Sequence, residues 1–393
     1  MNKSILNKEI QEFIQNNMSS DTTALVLKGT TFPQVDTLEI IEQIEARTRS
    51  EKKLPTWFSS KNIYYPNKLN IEQTSSEITA KYKASLVGGH SLIDITGGFG
   101  VDSYYFSKNI QHVTHCELNP HLSQIASHNI KQLEVKNISC FPKDGMKTLI
   151  SLNTPFDWIY IDPSRRDDSK GKVFLLKDCL PNVPHFLELF FKYSKNIMIK
   201  TSPLLDLSIG INELQAVKAI HIVAVKNEVK ELLWILERDF TGATEIKTVN
   251  IQKESEDHFD FYLNEESQAV ADLGEPLTYL YEPNAAILKG GAFEILAEKL
   301  QLNKLHKHSH LYTSKKLIDF PGRRFKVEHI LPYNKKQFKR VIQVAKANVA
   351  TRNFPETVQQ IRKKLGLKDG GNDYLFFTTN LENKKIIIAC KKV

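Results

Sequence analysis

Short apolar runs alternate with segments of helical periodicity from about residue 70 to about residue 240. Runs of this kind, bounded by polar or glycine residues, are typical of buried strands. They predict strands at 91–96, 112–117, 137–141, 156–162 and 196–201, and two closely spaced strands at 218–226 and 230–237. The first five alternate with helices and should run parallel, whereas the last two must pair antiparallel. The pattern predicts an α/β fold of Rossmann-like type: a mostly parallel seven-stranded sheet with an antiparallel last strand.

The segments on either side of this sheet have different patterns. Residues 5–60 carry apolar positions at helical spacing, namely Ile10, Phe13 and Ile14, then Leu38, Ile41 and Ile44. After residue 237 we expect short strands, a helix from Asn284 to about Leu300, and two closing strands at 374–379 and 385–390. Residues 335–350 read as an amphipathic helix whose inner face holds Phe338, Val341, Ile342 and Ala345.

The segment 91–103 (SLIDITGGFGVDS) suggests a nucleotide-like ligand. It reads as a strand ending at Asp94, a turn containing Gly98 and Gly100, and a helix opened by Asp102. Glycines between a strand and a helix let the backbone approach such a ligand closely. The dinucleotide fingerprint G-x-G-x-x-G would place Gly or Ala at position 103, where Ser103 stands, so a nicotinamide site fits imperfectly.

Acidic residues follow the other predicted strands. Glu117 ends the second, Asp144 follows the third, and Asp162-Pro163 ends the fourth. Signals in this order resemble those of class I S-adenosylmethionine-dependent methyltransferases. That resemblance implies that Asp94 meets the ammonium group of the cofactor directly or through water, that Glu117 accepts from the ribose hydroxyls, and that Asp144 accepts from the adenine amine. Taken singly, Asp144 before a glycine is also typical of a turn, and Asp102 of a helix N-cap.

The chain also resembles one family along most of its length: bacterial RNA methyltransferases with a THUMP-like C-terminal domain. The resemblance lies in residues 75–83 (SSEITAKYK), 162–167 (DPSRRD), 281–285 (YEPNA), 320–325 (FPGRRF) and 348–355 (NVATRNFP). The loop residues Asp94, Thr96, Gly98, Gly100 and Asp102 are similar to those of an rRNA guanine-N2 methyltransferase family. The resemblance implies cofactor contacts for these five and a C-terminal module that holds RNA.

A chain of 393 residues exceeds one ordinary core, so several domains are expected. With the resemblance, we expect an N-terminal helical region at 1–65 and a class I methyltransferase domain at 66–265. A small ferredoxin-like element at 266–320 and a THUMP-like basic domain at 321–393 should form an α+β C-terminal module.

The loop after the fourth strand is where chemistry should occur, because ligands of such sheets lie at the carboxyl ends of the strands. The predicted catalytic residues are Asp162, Pro163, Arg165 and Arg166. Enzymes that methylate exocyclic amines commonly have a second proline and an aromatic residue where Ser164 and Arg165 stand, so the acceptor atom stays open. Arg165 and Arg166 would grip phosphates flanking an extruded nucleotide, or form salt bridges within the loop.

Positive charge is concentrated near the C-terminus. Residues 303–368 contain seventeen Lys and Arg against three acids, whereas the whole chain carries +8. A basic module of this kind indicates a polyphosphate partner such as rRNA or tRNA, and a solvated charged face is the alternative. The predicted RNA contacts are Arg323, Arg324, Phe325, Lys336, Lys339, Arg340 and Arg352. For Phe325 the alternative is a core position behind a turn.

Other features exclude classes of protein. The four cysteines lie far apart without a C-x-x-C pair, which argues against a zinc site or a disulfide framework. His306, His308 and His310 lack an accompanying carboxylate or thiol, so we expect an RNA-facing strand there and no metal. No apolar run approaches ~20 residues and no signal peptide is evident, so a cytosolic protein is expected.

The sequence therefore predicts an S-adenosylmethionine-dependent methyltransferase of structured RNA. Two alternatives stay open: a methyltransferase of a small molecule or protein, and an RNA-binding protein that keeps the cofactor fold without activity. The RNA, the nucleotide, the acceptor atom and the oligomeric state are not specified by the sequence.

Overall fold

The computed structural model describes residues 1–165 and 175–393. Two compact units are present. The first comprises Met1–Lys218 and Leu232–Thr241, and the second comprises Ala219–Glu231 and Gly242–Val393.

The first unit contains eleven described α-helices and the strands of the predicted parallel sheet. The helices are α1 (Lys8–Asn16), α2 (Thr22–Lys28), α3 (Thr37–Lys53), α4 (Pro55–Ser59), α5 (Lys68–Gln73), α6 (Glu77–Ser85), α7 (Val101–Phe106), α8 (Pro120–Gln132), α9 (Gly145–Leu152), α10 (Val183–Tyr193) and α11 (Leu207–Glu213). The strands are β1 (Gly89–Asp94), β2 (Ile110–Cys116), β3 (Ile138–Phe141), β4 (Phe156–Ile161), β5 (Ser164–Arg165), β6 (Cys179–Leu180) and β7 (Ser194–Thr201), and the hairpin β8 (Val217–Val225) and β9 (Glu228–Glu237) contributes to both units.

The sheet of the first unit has the order β9-β7-β4-β1-β2-β3. Strand β1 pairs in parallel with β2 and β4, β2 with β3, and β4 with β7, whereas β9 pairs antiparallel with β7. Lys226 and Asn227 join β8 to β9 with positive φ angles of 52° and 64°, as a two-residue hairpin turn requires. The predicted mostly parallel sheet with an antiparallel end is confirmed.

Polar side chains begin several helices of this unit. An Asp, Ser or Asn side chain accepts a backbone N–H of the first turn at Asp36, Ser76, Asn119, Asp144 and Asp206. In the N-terminal region, Ile10, Ile14 and Ile44 are buried as expected. Leu38, in the first turn of α3, is 58% exposed, so the three apolar positions 38, 41 and 44 do not all lie in the core.

The second unit contains two strands beyond β8, of which the first pairs with β8 and the second with the first, and a separate seven-stranded sheet. Its elements are β10 (Glu245–Ile251), β11 (Glu256–Tyr262), α12 (Leu263–Gln268), β12 (Tyr279–Pro283), α13 (Ala285–Gly290), α14 (Glu294–Leu300), β13 (Asn303–Lys304), β14 (Tyr312–Ser314), β15 (Gly322–Pro332), α15 (Lys335–Val341), β16 (Asn348–Arg352), α16 (Val358–Leu365), β17 (Asp373–Thr379) and β18 (Lys385–Lys392). The seven-stranded sheet has the order β13-β14-β12-β15-β18-β17-β16. One apolar cluster joins Phe338 and Ile361 to Leu375, and another joins Leu280 and Phe325 to Phe376.

Two predicted helices of this unit differ from the structure. The helix expected over 284–300 is two helices, because Gly291 has the left-handed φ of 75° and ends α13. The helix expected over 335–350 ends at Val341, and residues 348–352 form β16, which pairs in parallel with β17. Helical spacing alone could not reveal that the β-branched residues of this segment gain more from pairing in the sheet.

Candidate functional site

Asp94 ends β1 and organises the turn that follows. One of its carboxylate oxygens accepts the N–H of Thr96 (3.1 Å) and the other accepts the hydroxyl of Ser103 (2.7 Å). The side chain is buried, and burial raises the pKa of Asp94 to about 7, with repulsion from Asp102 and Asp162 acting in the same direction. Asp94 is therefore partly protonated at neutral pH and becomes a full anion only in mildly alkaline solution.

The glycine turn has one closed and one open side. A Cβ at Gly97 would lie 2.3 Å from the His115 ring, so the backbone is packed tightly there. Gly98 and Gly100 have positive φ angles of 55° and 85°, and a Cβ at Gly98 would meet only the carbonyl of Thr96, at 3.9 Å. The backbone at Gly98 therefore borders open space, where a ligand has room to approach.

Glu117 follows β2 and is tied to this turn. One carboxylate oxygen accepts the N–H of Gly98 (2.8 Å), and the other accepts the N–H of Asn119 (2.7 Å). The side chain is half-buried, and an ionised carboxylate can accept about four hydrogen bonds. Glu117 thus fixes the open edge of the turn and retains acceptor capacity for a ligand.

Asp144 lies at the start of α9, behind the third strand. Its carboxylate accepts the N–H of Lys147 (3.0 Å), so Asp144 is the N-cap residue of α9, a role that the sequence suggested for Asp102 and not for Asp144. A Cβ at Gly145 would lie 2.2 Å from the carbonyl oxygen of Ile95. The backbone after Asp144 therefore packs directly against the residue that follows β1.

Asp102 is a largely buried member of a polar network. It lies in the first turn of α7 and Gly100 is the N-cap residue, so the N-cap interpretation of Asp102 is wrong. Its side chain accepts the hydroxyls of Ser75 (2.8 Å) and Tyr160 (2.8 Å) and pairs with Lys83 at 3.2 Å. Burial favours the neutral acid, but Lys83, Lys200 and the two hydroxyls outweigh it and lower the pKa of Asp102.

Lys83 is fully buried and also donates to Ser75 (3.1 Å). Both residues belong to the segment 75–83, which was recognised by its sequence alone. The segment therefore supports the helix that follows the glycine turn, through the buried ammonium group of Lys83 and the hydroxyl of Ser75.

Asp162 follows β4 and lies next to the turn. Its N–H donates to the Thr96 hydroxyl (2.7 Å), and its half-exposed carboxylate is hydrogen-bonded to the ammonium of Lys200 near the end of β7. Pro163 is buried. The side chain of Arg165 and the whole of Arg166 lie outside the described residues.

Lys200 was missed in the sequence. The available signal was a charged residue near the carboxyl end of the apolar run 197–199, the strand after the Asp-Pro loop. The structure thus brings Asp94, Thr96, Gly98, Glu117 and Asp162 together at adjoining strand ends, linked by the bonds described above.

In the second unit, Glu282 connects two of the predicted RNA contacts. Its buried carboxylate accepts Nε of Arg323 (2.6 Å) through one oxygen and a terminal nitrogen of Arg352 (2.6 Å) through the other. Arg324 makes a longer contact, at 3.4 Å, with the exposed carboxylate of Asp319. Glu282, Arg323 and Arg352 come from three of the segments by which the sequence resembles its family.

The remaining predicted RNA contacts divide into exposed and buried side chains. Lys336, Lys339 and Arg340 are exposed on α15, around the buried Phe338. Phe325 has no exposed surface and packs against Tyr374 and Phe376. Its ring cannot stack on an RNA base in this structure, so the core alternative for Phe325 is the correct one.

The three alternating histidines do not form the expected strand. His306 is buried and hydrogen-bonded to Asn353 (2.9 Å) and Asn383 (3.1 Å). His310 stacks on Phe293, and burial lowers the pKa of His310 to about 4. Within residues 1–165 and 175–393 no metal-binding group of three His, Cys, Asp or Glu is found, and no helix is long and apolar enough to cross a membrane.

Comparison with known proteins identifies the class. Family models match at residues 279–321 (ferredoxin-like domain) and 322–392 (THUMP domain-like). The crystal structure of a "putative methyltransferase" from Porphyromonas gingivalis W83 is 31% identical, with a TM-score of 0.89, and the match covers 100% of this chain and 98% of that one. A "putative class I S-adenosylmethionine-dependent methyltransferase" from Listeria monocytogenes is 13% identical, with a TM-score of 0.38, covering 64% of this chain and 89% of that one. No curated protein matches the chain.

The sheet and its strand-end residues define the fold of a class I methyltransferase. The chain belongs to the family represented by the Porphyromonas gingivalis protein: S-adenosylmethionine-dependent methyltransferases with a ferredoxin-like and a THUMP-like domain.

Proposed function

We propose that this protein transfers the methyl group of S-adenosylmethionine to a base of structured RNA, such as rRNA or tRNA. The observation that carries the proposal is the convergence of acceptor side chains from adjoining strand ends around the open backbone of Gly98. The predicted basic module of the same chain supports RNA as the substrate.

The residues at the strand ends fit the chemistry of this cofactor. S-adenosylmethionine presents an ammonium group, two ribose hydroxyls and an adenine amine, and Asp94, Glu117 and Asp144 are acceptors. Thr96 and Gly98 would line the surface that contacts the cofactor. Gly100, as the N-cap residue of α7, and Asp102, through its ion pair with Lys83, would support this surface without touching the cofactor. When bound, the cofactor supplies an electrophilic methyl group.

The chemistry of transfer requires positioning above all, because holding an acceptor in line for displacement supplies much of the rate. Asp162 is half-exposed and hydrogen-bonded through its backbone to Thr96, so it would present its carboxylate to an acceptor N–H or O–H beside the cofactor. Lys200 would orient that carboxylate, and Pro163 would fix the loop. Arg165 and Arg166 are proposed to hold flanking phosphates on the basis of sequence alone.

We further propose four regions: the helical region 1–65, the methyltransferase domain 66–265, the ferredoxin-like element 266–320 and the THUMP-like domain 321–393. In the last, Arg323, Arg324, Arg352, Lys336, Lys339 and Arg340 would contact RNA phosphates. A cytosolic location stays a prediction.

The experiment is a mass-spectrometric comparison of modified nucleosides in RNA from cells with and without this gene. We expect one methylated nucleoside to disappear from rRNA or tRNA and to return when the gene is restored. An unchanged RNA profile would favour a methyltransferase of a small molecule or protein, or an RNA-binding protein without activity.

Replacing Glu117 by alanine should weaken binding of S-adenosylhomocysteine. The variant loses charged hydrogen bonds to the ribose, worth about 1.5 to 3 kcal/mol. Isothermal titration calorimetry measures the change. The control is Glu188→Ala, which removes an exposed carboxylate from α10 and should leave affinity unchanged. Equal affinities of the two variants would place the ribose anchor elsewhere.

Cofactor affinity should rise with pH between 5.5 and 7. The pKa of Asp94 is about 7, so the protonated acid predominates at pH 5.5, and the anion that attracts the ammonium group forms as pH increases. One ionisation near pH 7 predicts about a tenfold rise over this interval. Calorimetry at several pH values tests it, and Asp94→Asn, which has no proton to lose, should flatten the profile. An equally steep profile in that variant would assign the dependence to another group.

A further inference from the structure

We propose that Arg323 and Arg352, held side by side on the buried carboxylate of Glu282, form a binding site for a single phosphate group of RNA. The inference rests on the proposed function, because it names the part of the substrate that this site would hold. It differs from a general attraction between RNA and a basic surface, since it requires two particular guanidinium groups in a fixed arrangement.

The arrangement depends on curvature of the sheet. Strands β15, β18 and β17 lie between β12, which carries Glu282, and β16, which carries Arg352. Strand spacing would place β12 and β16 about 19 Å apart in a flat sheet. The Arg352–Glu282 contact is 2.6 Å, so the sheet curves and brings these two strands closer together than a flat sheet would.

Glu282 sets the geometry of the two arginines. Its side chain is 3% exposed, and each carboxylate oxygen accepts from a different guanidinium. Two oxygens bonded to one carbon keep the two guanidinium groups adjacent. Because the carboxylate is buried and paired on both sides, it holds the arginines before any ligand arrives, which lowers the entropy lost on binding.

A purely structural ion cluster is the competing explanation, and two observations favour a site. One buried carboxylate needs one compensating charge, whereas here two cations leave a net charge of +1. In addition, the side chains of Arg323 and Arg352 are 38% and 34% exposed although their acceptor is buried. A cluster that only stabilised the fold would not need this exposure.

The unused donors suit a phosphate. Arg323 directs Nε and one terminal nitrogen to Glu282, and Arg352 directs one terminal nitrogen to Glu282 and the other to the carbonyl of Thr351 (2.8 Å). Within the part of the chain that the structure describes, the other N–H groups of both guanidiniums have no acceptor. Guanidinium groups match phosphate oxygens bidentately, so an RNA phosphate would complete them.

The test measures binding of the full-length protein to a fluorescent single-stranded oligoribonucleotide of about 12 nucleotides, within the range of single-strand binding sites. Arg352→Lys keeps the charge and removes the forked donor. We expect it to weaken binding about tenfold. The matched control is Arg49→Lys in α3, an exposed arginine paired with the exposed carboxylate of Glu72 (2.8 Å), which should change affinity less than about twofold.

Glu282→Gln separates geometry from charge. This variant makes the protein more positive by one, so general electrostatic attraction predicts tighter RNA binding. The proposed site predicts weaker binding, because the arginines lose the anion that holds them. Thermal unfolding checks that each variant is folded, and if Glu282→Gln is not, the comparison of Arg352→Lys with Arg49→Lys decides.

Competition by inorganic phosphate, and a comparison of RNAs with a 5′-phosphate or a 5′-hydroxyl, show which phosphate the site binds. Inorganic phosphate should displace the RNA from wild-type protein more strongly than sodium chloride at equal ionic strength, and this difference should vanish in Arg352→Lys. The same RNA is compared with and without a 5′-phosphate. If the site holds the terminal phosphate, removing that phosphate will weaken binding to the wild type as much as Arg352→Lys weakens binding of the phosphorylated RNA. If it holds an internal phosphate, both RNAs will lose affinity equally in the variant.

Three results would overturn the inference: equal affinities of Arg352→Lys and Arg49→Lys, tighter binding by Glu282→Gln, or displacement of the RNA by polyglutamate as effectively as by unlabelled RNA. The last result would assign the arginines to an acidic protein partner. If one of these three results is found but the wild-type protein still methylates RNA, the phosphate site is wrong and the proposed function stands. Absence of both RNA binding and RNA methylation would remove the function as well.

Discussion

Asp162→Ala is expected to lower methyl transfer to RNA by about 10² to 10⁴, the range typical of a side chain that hydrogen-bonds a reacting group. Asp162 follows β4, is half-exposed and is oriented by Lys200, so its carboxylate is available to the acceptor. RNA affinity should stay nearly unchanged, because this interaction matters in the transition state more than in binding. Single-turnover kinetics and filter binding with the same RNA measure the two quantities.

Two variants make this result interpretable. Asp162→Asn keeps the shape of the side chain and loses its charge, and it should also be slow. Asp239→Asn removes the charge of an exposed acid beyond the end of β9, which lies opposite the start of β7, and it should be as fast as the wild type. Wild-type rates for Asp162→Ala would show that this carboxylate takes no part in the chemistry.

Lys83→Met should destabilise the first unit by about 3 to 5 kcal/mol, as breaking a buried ion pair commonly does. Lys83 is fully buried, and its loss would leave the carboxylate of Asp102 inside the protein without its nearest cation. All three tryptophans, Trp57, Trp158 and Trp234, belong to this unit. Tryptophan fluorescence during urea unfolding therefore reports its free energy of unfolding.

The matched control is Lys81→Met, the same substitution two residues earlier. Lys81 is exposed, and its ammonium lies 5.6 Å from the centre of the Tyr105 ring, so we expect a loss of less than about 1 kcal/mol. Similar losses for the two variants would mean that the Lys83–Asp102 pair contributes no more than a surface contact.

The positions and directions of the strands and most strand-end residues could be predicted from sequence, because apolar runs and glycine turns are local signals. Asp94, Glu117 and Asp162 were placed by the rule that parallel strands present their carboxyl ends at one edge. The side-chain partners could not be predicted in the same way. The bond between Thr96 and Asp162 joins residues 66 positions apart, and no local pattern specifies it.

The burial of Lys83 and the pairing of two arginines with Glu282 could not be predicted for the same reason. A lysine in a sequence is usually exposed, so Lys83 gave no sign that it lies beneath α7. Arg323 is the cross-strand neighbour of Glu282, a register that no local pattern specifies, and only the curvature of the sheet brings Arg352 to the same carboxylate. Phe325 was misassigned because an aromatic residue after two arginines suits RNA stacking as well as it suits a core, and only its burial decides.

The most direct test of the central claim is transfer of a labelled methyl group from S-adenosylmethionine by the purified protein to total RNA from cells that lack this gene. The account predicts label in one RNA species, at a nucleoside that is already methylated, and therefore unlabelled, in RNA from cells that have the gene. Absence of label from every RNA, with a folded protein that binds S-adenosylhomocysteine, would contradict it.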